Sequence, residues 1–201
     1  MQSAVYVVDD DNFARESLAW LIDSVKLPVR TFESGQEFLD FYHKDLAGCL
    51  VLDVRMPGIS GMDLHSKLKQ LACTLPVIIM TGHADVDVAV RSMKAGAYDF
   101  IEKPYNDTIM LERIQSAIAF DLDNRKAQER INAIKERLST LTPREREVLH
   151  YVLKSTANKI IASELGVSIK TIELHRSNLM TKMKASSVTE LVRLAVIAGL
   201  D

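Results

Sequence analysis

The sequence predicts an α/β doubly wound domain with a five-stranded parallel sheet, followed by a small all-α domain. Three observations carry the prediction. Up to about residue 120, short unbroken apolar runs alternate with segments of helical spacing, the pattern of strands buried on both faces and of the helices that cover them. Beyond that point the strand-like runs stop and only helical patterns continue. Charge divides as well. Residues 139–201 hold nine Lys+Arg and six Asp+Glu, a net of +3, and the rest of the chain holds 16 and 21, a net of −5.

The elements follow in order. AVYVV (4–8) is a strand that ends in acids. NFARESLAWLIDSV (12–25) is a helix with Phe13, Leu18, Leu21 and Ile22 on its apolar face. VRTF (29–32) is a short strand, GQEFLDFYHK (35–44) a helix and GCLVLD (48–53) a continuous apolar strand. GMDLHSKLKQL (61–71) is an amphipathic helix, PVIIMTG (76–82) a strand and DVAVRSMKAG (87–96) a helix closed by glycine. YDFIEKP (98–104) is the fifth strand and TIMLERIQSAIAF (108–120) the fifth helix. Five such units imply a doubly wound sheet. No G-x-G-x-x-G turn is present, so a dinucleotide site is not indicated.

Domain boundaries are expected at 1–120, 121–138 for a linker helix, and 139–201. Phe120, Asn124, Ala127, Ile131, Ile134, Leu138 and Leu141 are spaced by four and three in turn. That stripe fits a short coiled coil or a helix packing one face on its neighbours. In the last part, STLTPREREVL offers Thr142 as N-cap, Pro143 at the first helical position and Glu145 three residues after the cap. ANKIIASELG ends a short helix at Gly166, Ser168 opens a longer one, and SVTELVRLAVIAG is a final amphipathic helix.

Composition narrows the class. The chain has 201 residues, 47% hydrophobic and 26% charged, which suits a soluble globular protein. Runs such as PVIIM are too short to span a bilayer, so no membrane association is expected. MQSAVYVVDDD carries no basic segment or cleavage site of a secretion signal. Cys49 and Cys73 have no motif spacing, which points to structural thiols in a reduced cytoplasmic setting.

The stretch LVLDVRMPGISGMDL raises the chemical question. It reads as a buried strand that ends on a bare carboxylate, Asp53. In open parallel sheets, ligands bind beyond the carboxyl ends of the strands. The predicted strands deliver Asp9, Asp10, Asp53, Thr81 and Lys103 to that edge. Three carboxylates together repel unless a cation neutralises them, and hard oxygens with room for water suit Mg²⁺. Asp53 can then attack phosphorus to form an aspartyl phosphate. Lys103 and the metal would offset charge on the phosphoryl oxygens, and Thr81 would donate a hydrogen bond to the new phosphate. Taken alone, an Asp after a strand is usually a turn or helix cap and a Lys before Pro a surface residue; it is their combination at the strand ends that points to a site.

Residues 157–183 fit helix–turn–helix: a first helix from Ala157 to Leu165, the turn GVS, and a recognition helix from Ile169 to Met183. Ile160, Ile161, Leu165, Val167, Ile172, Leu179 and Met183 form the expected packing set. Lys170, Thr171, Glu173, Arg176 and Ser177 fall largely on the other face, where they could meet phosphates and base edges. A solvated face on an ordinary helical hairpin gives the same local pattern.

VVDDD, LVLDVRMPGISG, IIMTGHADVDVAVRSMKAGAYDFIEKPY and LTPREREVL…NKIIASELGVSIKTIELHRSNLMTKMK together resemble a two-component response regulator of the NarL/FixJ family, FixJ subgroup. The resemblance covers almost the whole chain. It implies a flavodoxin-like receiver joined to a LuxR-type helix-turn-helix domain, phosphorylated by a sensor histidine kinase and regulating transcription in the cytoplasm. It implies Asp53 as phosphoacceptor, Asp10 as metal ligand with Asp9 beside it, and the Arg55 backbone carbonyl as a further ligand. Thr81 and Lys103 would contact the phosphate, Phe100 would be the aromatic switch, and the Lys103–Pro104 bond would be cis. Asn158, Lys159 and His175 are added as contacts to the DNA backbone. Dimerisation on phosphorylation is expected through residues 85–95, 98–102 and 107–118, with binding to an inverted repeat. RNA polymerase is a further partner. The stripe of Val188, Leu191, Val192 and Ala195 fits core or dimer face, and the resemblance favours the dimer.

Two other readings bound this one. A dehalogenase-type phosphatase also uses an aspartyl nucleophile, but it wants a second Asp two residues on, where this chain has Arg55. The chain is thus expected to be no enzyme beyond its own phosphoryl transfer. An interaction module that binds RNA or protein would be distinguished by its binding to duplex DNA.

Overall fold

The structure, a computed structural model, describes residues 3–82 and 86–200. The chain divides into two units, one up to Arg125 and one from Lys126. Within the first, β1 (Ala4–Val8), β2 (Val29–Phe32), β3 (Gly48–Asp53), β4 (Val77–Thr81) and β5 (Asp99–Glu102) form one parallel sheet in the order β2-β1-β3-β4-β5. Alternation along the strands supplies two apolar faces. Tyr6, Val8, Leu50, Leu52 and Ile79 pack with Phe38, Leu64 and Leu68 of α2 (Gly35–Phe41) and α3 (Gly61–Gln70). Val5, Val7, Val51, Ile78 and Met80 pack with Leu18 and Ile22 of α1 (Asn12–Ser24) and Met110 and Ile114 of α5 (Asp107–Ser139). The remaining helix of this unit is α4 (Val86–Lys94).

Close backbone packing explains Gly48. Its φ is +123°, and a Cβ there would lie 1.8 Å from the carbonyl oxygen of Ala4, its partner across the sheet. Only glycine fits that crossing.

In the second unit, the end of α5 packs with α6 (Pro143–Leu153), α7 (Asn158–Leu165), α8 (Ile169–Met183) and α9 (Val188–Ile197). The core includes Ile134, Leu149, Val152, Ile161, Ile172, Leu179, Met183 and Leu191. Thr142 and Glu145 form a full capping box with Pro143 in the first turn of α6. Lys182 of α8 makes a 2.7 Å ion pair with the buried Glu145, so the cap also ties two helices together.

Several expectations change. The helices expected over 108–120 and 121–138 are one continuous helix, α5. Its stripe does not act as one face: Phe120, Asn124 and Ala127 are exposed, whereas Ile134 and Leu141 are buried. Met110, Ile114 and Ala117 instead form the buried line in the first unit. Phe13 is exposed, because Leu18 and Ile22 suffice to cover the sheet beneath α1. Ile160 is exposed too, since Ile161 and Ala162 form the buried face of α7. In α9, Val188 lies outside while Leu191, Leu194 and Ala195 are buried. Asp85, in the expected dimer face, lies outside the described residues. No described helix is long and apolar enough to cross a membrane.

Candidate functional site

The sheet order sets the site. The chain passes from β1 outward to β2 and returns to β3 on the other side of β1, so the crevice at the carboxyl ends of β1 and β3 is a topological switch point. Asp9 follows β1 directly and Asp53 is the last residue of β3. Both meet Lys103, which follows β5: its Nζ lies 2.7 Å from Asp9 Oδ2 and 2.6 Å from Asp53 Oδ1. The Lys103–Pro104 bond is cis, as the resemblance implied. Burial acts to lower the Lys103 pKa, but hydrogen bonds and charge from Asp53 and Asp9 outweigh it and leave it raised.

Asp53 is therefore not bare. It is 6% exposed, and its Oδ2 accepts a 2.6 Å hydrogen bond from the Arg55 backbone N–H. Gly61 permits this fold-back: the Gly61 N–H donates to Val54 O, and a Cβ on Gly61 would lie 2.1 Å from the Asp53 carbonyl oxygen. Thr81 ends β4 and is buried, and its carbonyl accepts from the Lys103 N–H at 2.7 Å. Phe100 in β5 is half-buried against the core under α2 and α3.

The three successive acids part ways. Asp9 is buried, and its Oδ1 accepts from the Asp11 N–H at 3.0 Å. Asp10 is exposed. Asp11 caps α1, accepting from the N–H groups of Phe13 and Ala14. Its role was missed, although an acid directly before a helical pattern is an N-cap signal. Among the described residues, no three acidic, histidine or cysteine side chains gather as a metal cluster; the Lys103 ammonium sits between two of the acids instead.

The second candidate site lies on one contiguous segment. Gly166 ends α7 at φ +65°, and Ser168 opens α8 by accepting from the Thr171 N–H at 3.1 Å. Ser168 and Thr171 also share a 2.8 Å hydroxyl contact. Ile172, Leu179 and Met183 face inward, which leaves Lys170, Glu173 and Ser177 outside and Thr171, His175 and Arg176 half-buried along the flanks. Asn158 and Lys159 open α7, whose N-terminus has no side-chain cap. Leu174 was missed: it is 59% exposed between Lys170 and Ser177. The signal was available, because residue 174 lies about 200° around a helix from Ile172.

Comparison with known proteins agrees with both halves. Residues 5–115 match the response regulator receiver domain, and residues 139–195 match the bacterial regulatory proteins of the luxR family. The transcriptional regulatory protein FixJ of Azorhizobium caulinodans is 44% identical over 97% of this chain and 92% of its own length. The response regulator protein TodT of Pseudomonas putida is 41% identical over 95% of this chain and 84% of its own. The structure is similar to that of the response regulator StyR, with a TM-score of 0.89 at 37% identity, covering 98% of this chain and 99% of that one. Full-length FixJ from B. japonicum gives 0.61 at 44% identity, covering 99% and 98%. The chain belongs to the NarL/FixJ family of two-component response regulators, in which a receiver domain is joined to a LuxR-type DNA-binding domain that regulates transcription.

Proposed function

We propose that Asp53 accepts a phosphoryl group from a sensor histidine kinase, and that the phosphorylated protein dimerises and binds an approximate inverted repeat in double-stranded DNA. The observation that carries this reading is the Lys103 ammonium held by Asp9 and Asp53 at the switch point of the sheet. An Asp53 oxygen attacks phosphorus in line. The O–P bond forms as the P–N bond to the kinase histidine breaks, and the imidazole leaves with the bonding pair. Lys103 offsets charge on the moving phosphoryl oxygens, and the Thr81 hydroxyl donates to the product.

Mg²⁺ fits the donors. Asp9 and Asp53 share one ammonium, which leaves negative charge to be met, and the neighbouring Asp10 side chain and Arg55 carbonyl would supply further hard oxygens to the ion. When bound, the ion supplies charge neutralisation to the transferring group. Phe100 would move inward as Thr81 is drawn to the phosphate, changing the α4, β5 and α5 surface used for dimerisation. Exposed Phe13, in the first turn of α1 next to the acidic edge, and Trp20, seven residues further along the helix, suit an apolar contact with the kinase.

On DNA, Lys170 and Arg176 would hold phosphates and Glu173 would accept from a cytosine amine. Leu174 would meet a thymine methyl group. Asn158, Lys159, Thr171, His175 and Ser177 would hold the backbone, with the uncapped N-terminus of α7 adding N–H donors. RNA polymerase would be the next partner, and the cytoplasm the setting. Intact mass after incubation with phosphoramidate tests the first step. The wild type should gain one phosphoryl group with Mg²⁺ and none without it, and Asp53→Asn should gain none. Stoichiometric labelling of Asp53→Asn would remove the assignment.

A further inference from the structure

Arg15, at the end of the first turn of α1, reaches back to the end of β1. Its Nη1 donates to the Asp9 backbone carbonyl at 2.7 Å, and its Nη2 donates to Asn12 Oδ1 at 2.8 Å. Asn12 Nδ2 in turn donates to Glu16 Oε1 at 3.1 Å, which orients the amide that Arg15 uses. Arg15 is half-buried.

The place of the Asp9 bond matters. β1 ends at Val8 and α1 begins at Asn12, so the Asp9 carbonyl lies in the junction between strand and helix. The peptide groups on both sides of Asp10 are held there. The one before it has its carbonyl on Arg15, and the one after it has its N–H on Asp9 Oδ1 at 3.0 Å. Asp9 is itself fixed, with its N–H on Phe32 O at 3.2 Å and its Oδ2 on Lys103 at 2.7 Å. Asp10 is exposed, and the direction in which its side chain leaves the chain is set by these two peptide groups.

Charge and geometry give the guanidinium opposite effects on a divalent ion. A cation beside Asp9 and Asp10 repels the ion, so by charge alone its loss should tighten binding. A carboxylate fixed in advance loses less freedom on binding, and Mg²⁺ demands near-ideal placement of its oxygens. The two Arg15 bonds go to a backbone carbonyl and an amide oxygen, not to a carboxylate, as in a brace rather than a counter-ion. We infer that Arg15 is a positioning residue for the ion site: it braces the junction of β1 and α1 so that Asp10 is presented beside Asp9. This role presupposes Asp10 as a ligand of the Mg²⁺ proposed above.

The test titrates full-length, unphosphorylated protein with Mg²⁺ by calorimetry, and follows amide hydrogen exchange without the ion. Arg15→Met should weaken Mg²⁺ roughly fivefold or more, although it removes a repelling charge. Its Asp11 amide should exchange roughly tenfold faster than in wild type, with the Ile79 amide in β4 unchanged. Arg15→Lys keeps the charge with a single donor arm and should fall between the two. Asn12→Ala leaves the charge in place and frees one arm, and should weaken Mg²⁺ about twofold. If circular dichroism shows that Arg15→Met does not fold, the other two variants decide. Equal or tighter Mg²⁺ binding in folded Arg15→Met, an unmoved Asp11 amide, unchanged affinity in both other variants, or no Mg²⁺ binding by the wild type overturns the inference. Where Arg15→Met binds Mg²⁺ as the wild type does and Asp53 still takes up phosphate, the brace fails and the phosphoacceptor stands.

Discussion

The acidic edge of the receiver and the outer face of α8 are built in opposite ways. At the edge, Asp9, Asp53 and Lys103 come from three strands, lie mostly out of water and are paired with one another. On α8, Lys170, Glu173, Leu174 and Ser177 come from one turn-by-turn stretch and stand in solvent. Burial lets a few charges act strongly on one reacting group. Exposure lets many groups each contribute a little along an extended partner. The first kind of site fails when one member is lost; the second weakens by degrees.

The largest expected effect follows from that difference. Lys103→Met leaves two buried carboxylates facing each other and should destabilise the receiver by roughly 3 kcal/mol, the low end for a broken buried pair because Lys103 is partly exposed. Denaturant unfolding measures it, and added Mg²⁺ should return part of the loss. Gly61→Ala comes next. A methyl group there meets the Asp53 backbone, so a cost of about 1–3 kcal/mol is expected, together with slower labelling of Asp53.

The two units should also differ in pH dependence. Lys103 has a raised pKa, so its pairing is fully present below its ordinary 10.5 and is lost as pH rises through the higher folded value. Burial alone would raise the Glu145 pKa, but hydrogen bonds from Lys182 and Thr142 leave it lowered. Its contribution is present above the ordinary 4.5 and is lost as pH falls through the folded value. Lys182→Met should cost about 1 kcal/mol at pH 7 and flatten the acid limb of the second unit. The smallest effect is expected on α8. Lys170→Ala should reduce the slope of log K against log salt by about one per bound site, with base preference unchanged, as measured on matched and single-base variant DNA.

Legibility in the sequence followed the same division. The five strands and the residues that end them could be read, because an acid or lysine at the end of an apolar run has a fixed place in a parallel sheet. The distribution among Asp9, Asp10 and Asp11 could not, since pairing with Lys103 depends on a residue 94 positions away. The buried Asp121 was likewise unreadable: it accepts from the Gly48 N–H at 2.8 Å, 73 positions earlier, and from Arg125 Nε at 2.7 Å. Helical stripes gave direction but not extent. Phe13, Ile160, Phe120 and Val188 lie on apolar patterns, and how much of each face is covered is decided by neighbours that local spacing does not name. On α8 the inward and outward faces follow local spacing, and Leu174 was passed over because an apolar residue was not expected on a polar face.

The central claim is that chemistry at the buried edge governs binding at the exposed face. The direct measurement is the affinity of the full-length protein for selected duplex DNA, with and without phosphoramidate and Mg²⁺, at fixed salt. The wild type should bind roughly tenfold tighter or more when phosphorylated, and Asp53→Asn should show the same affinity in both conditions. An equal gain in Asp53→Asn, or no gain in wild type whose phosphorylation is verified by mass, would contradict the account.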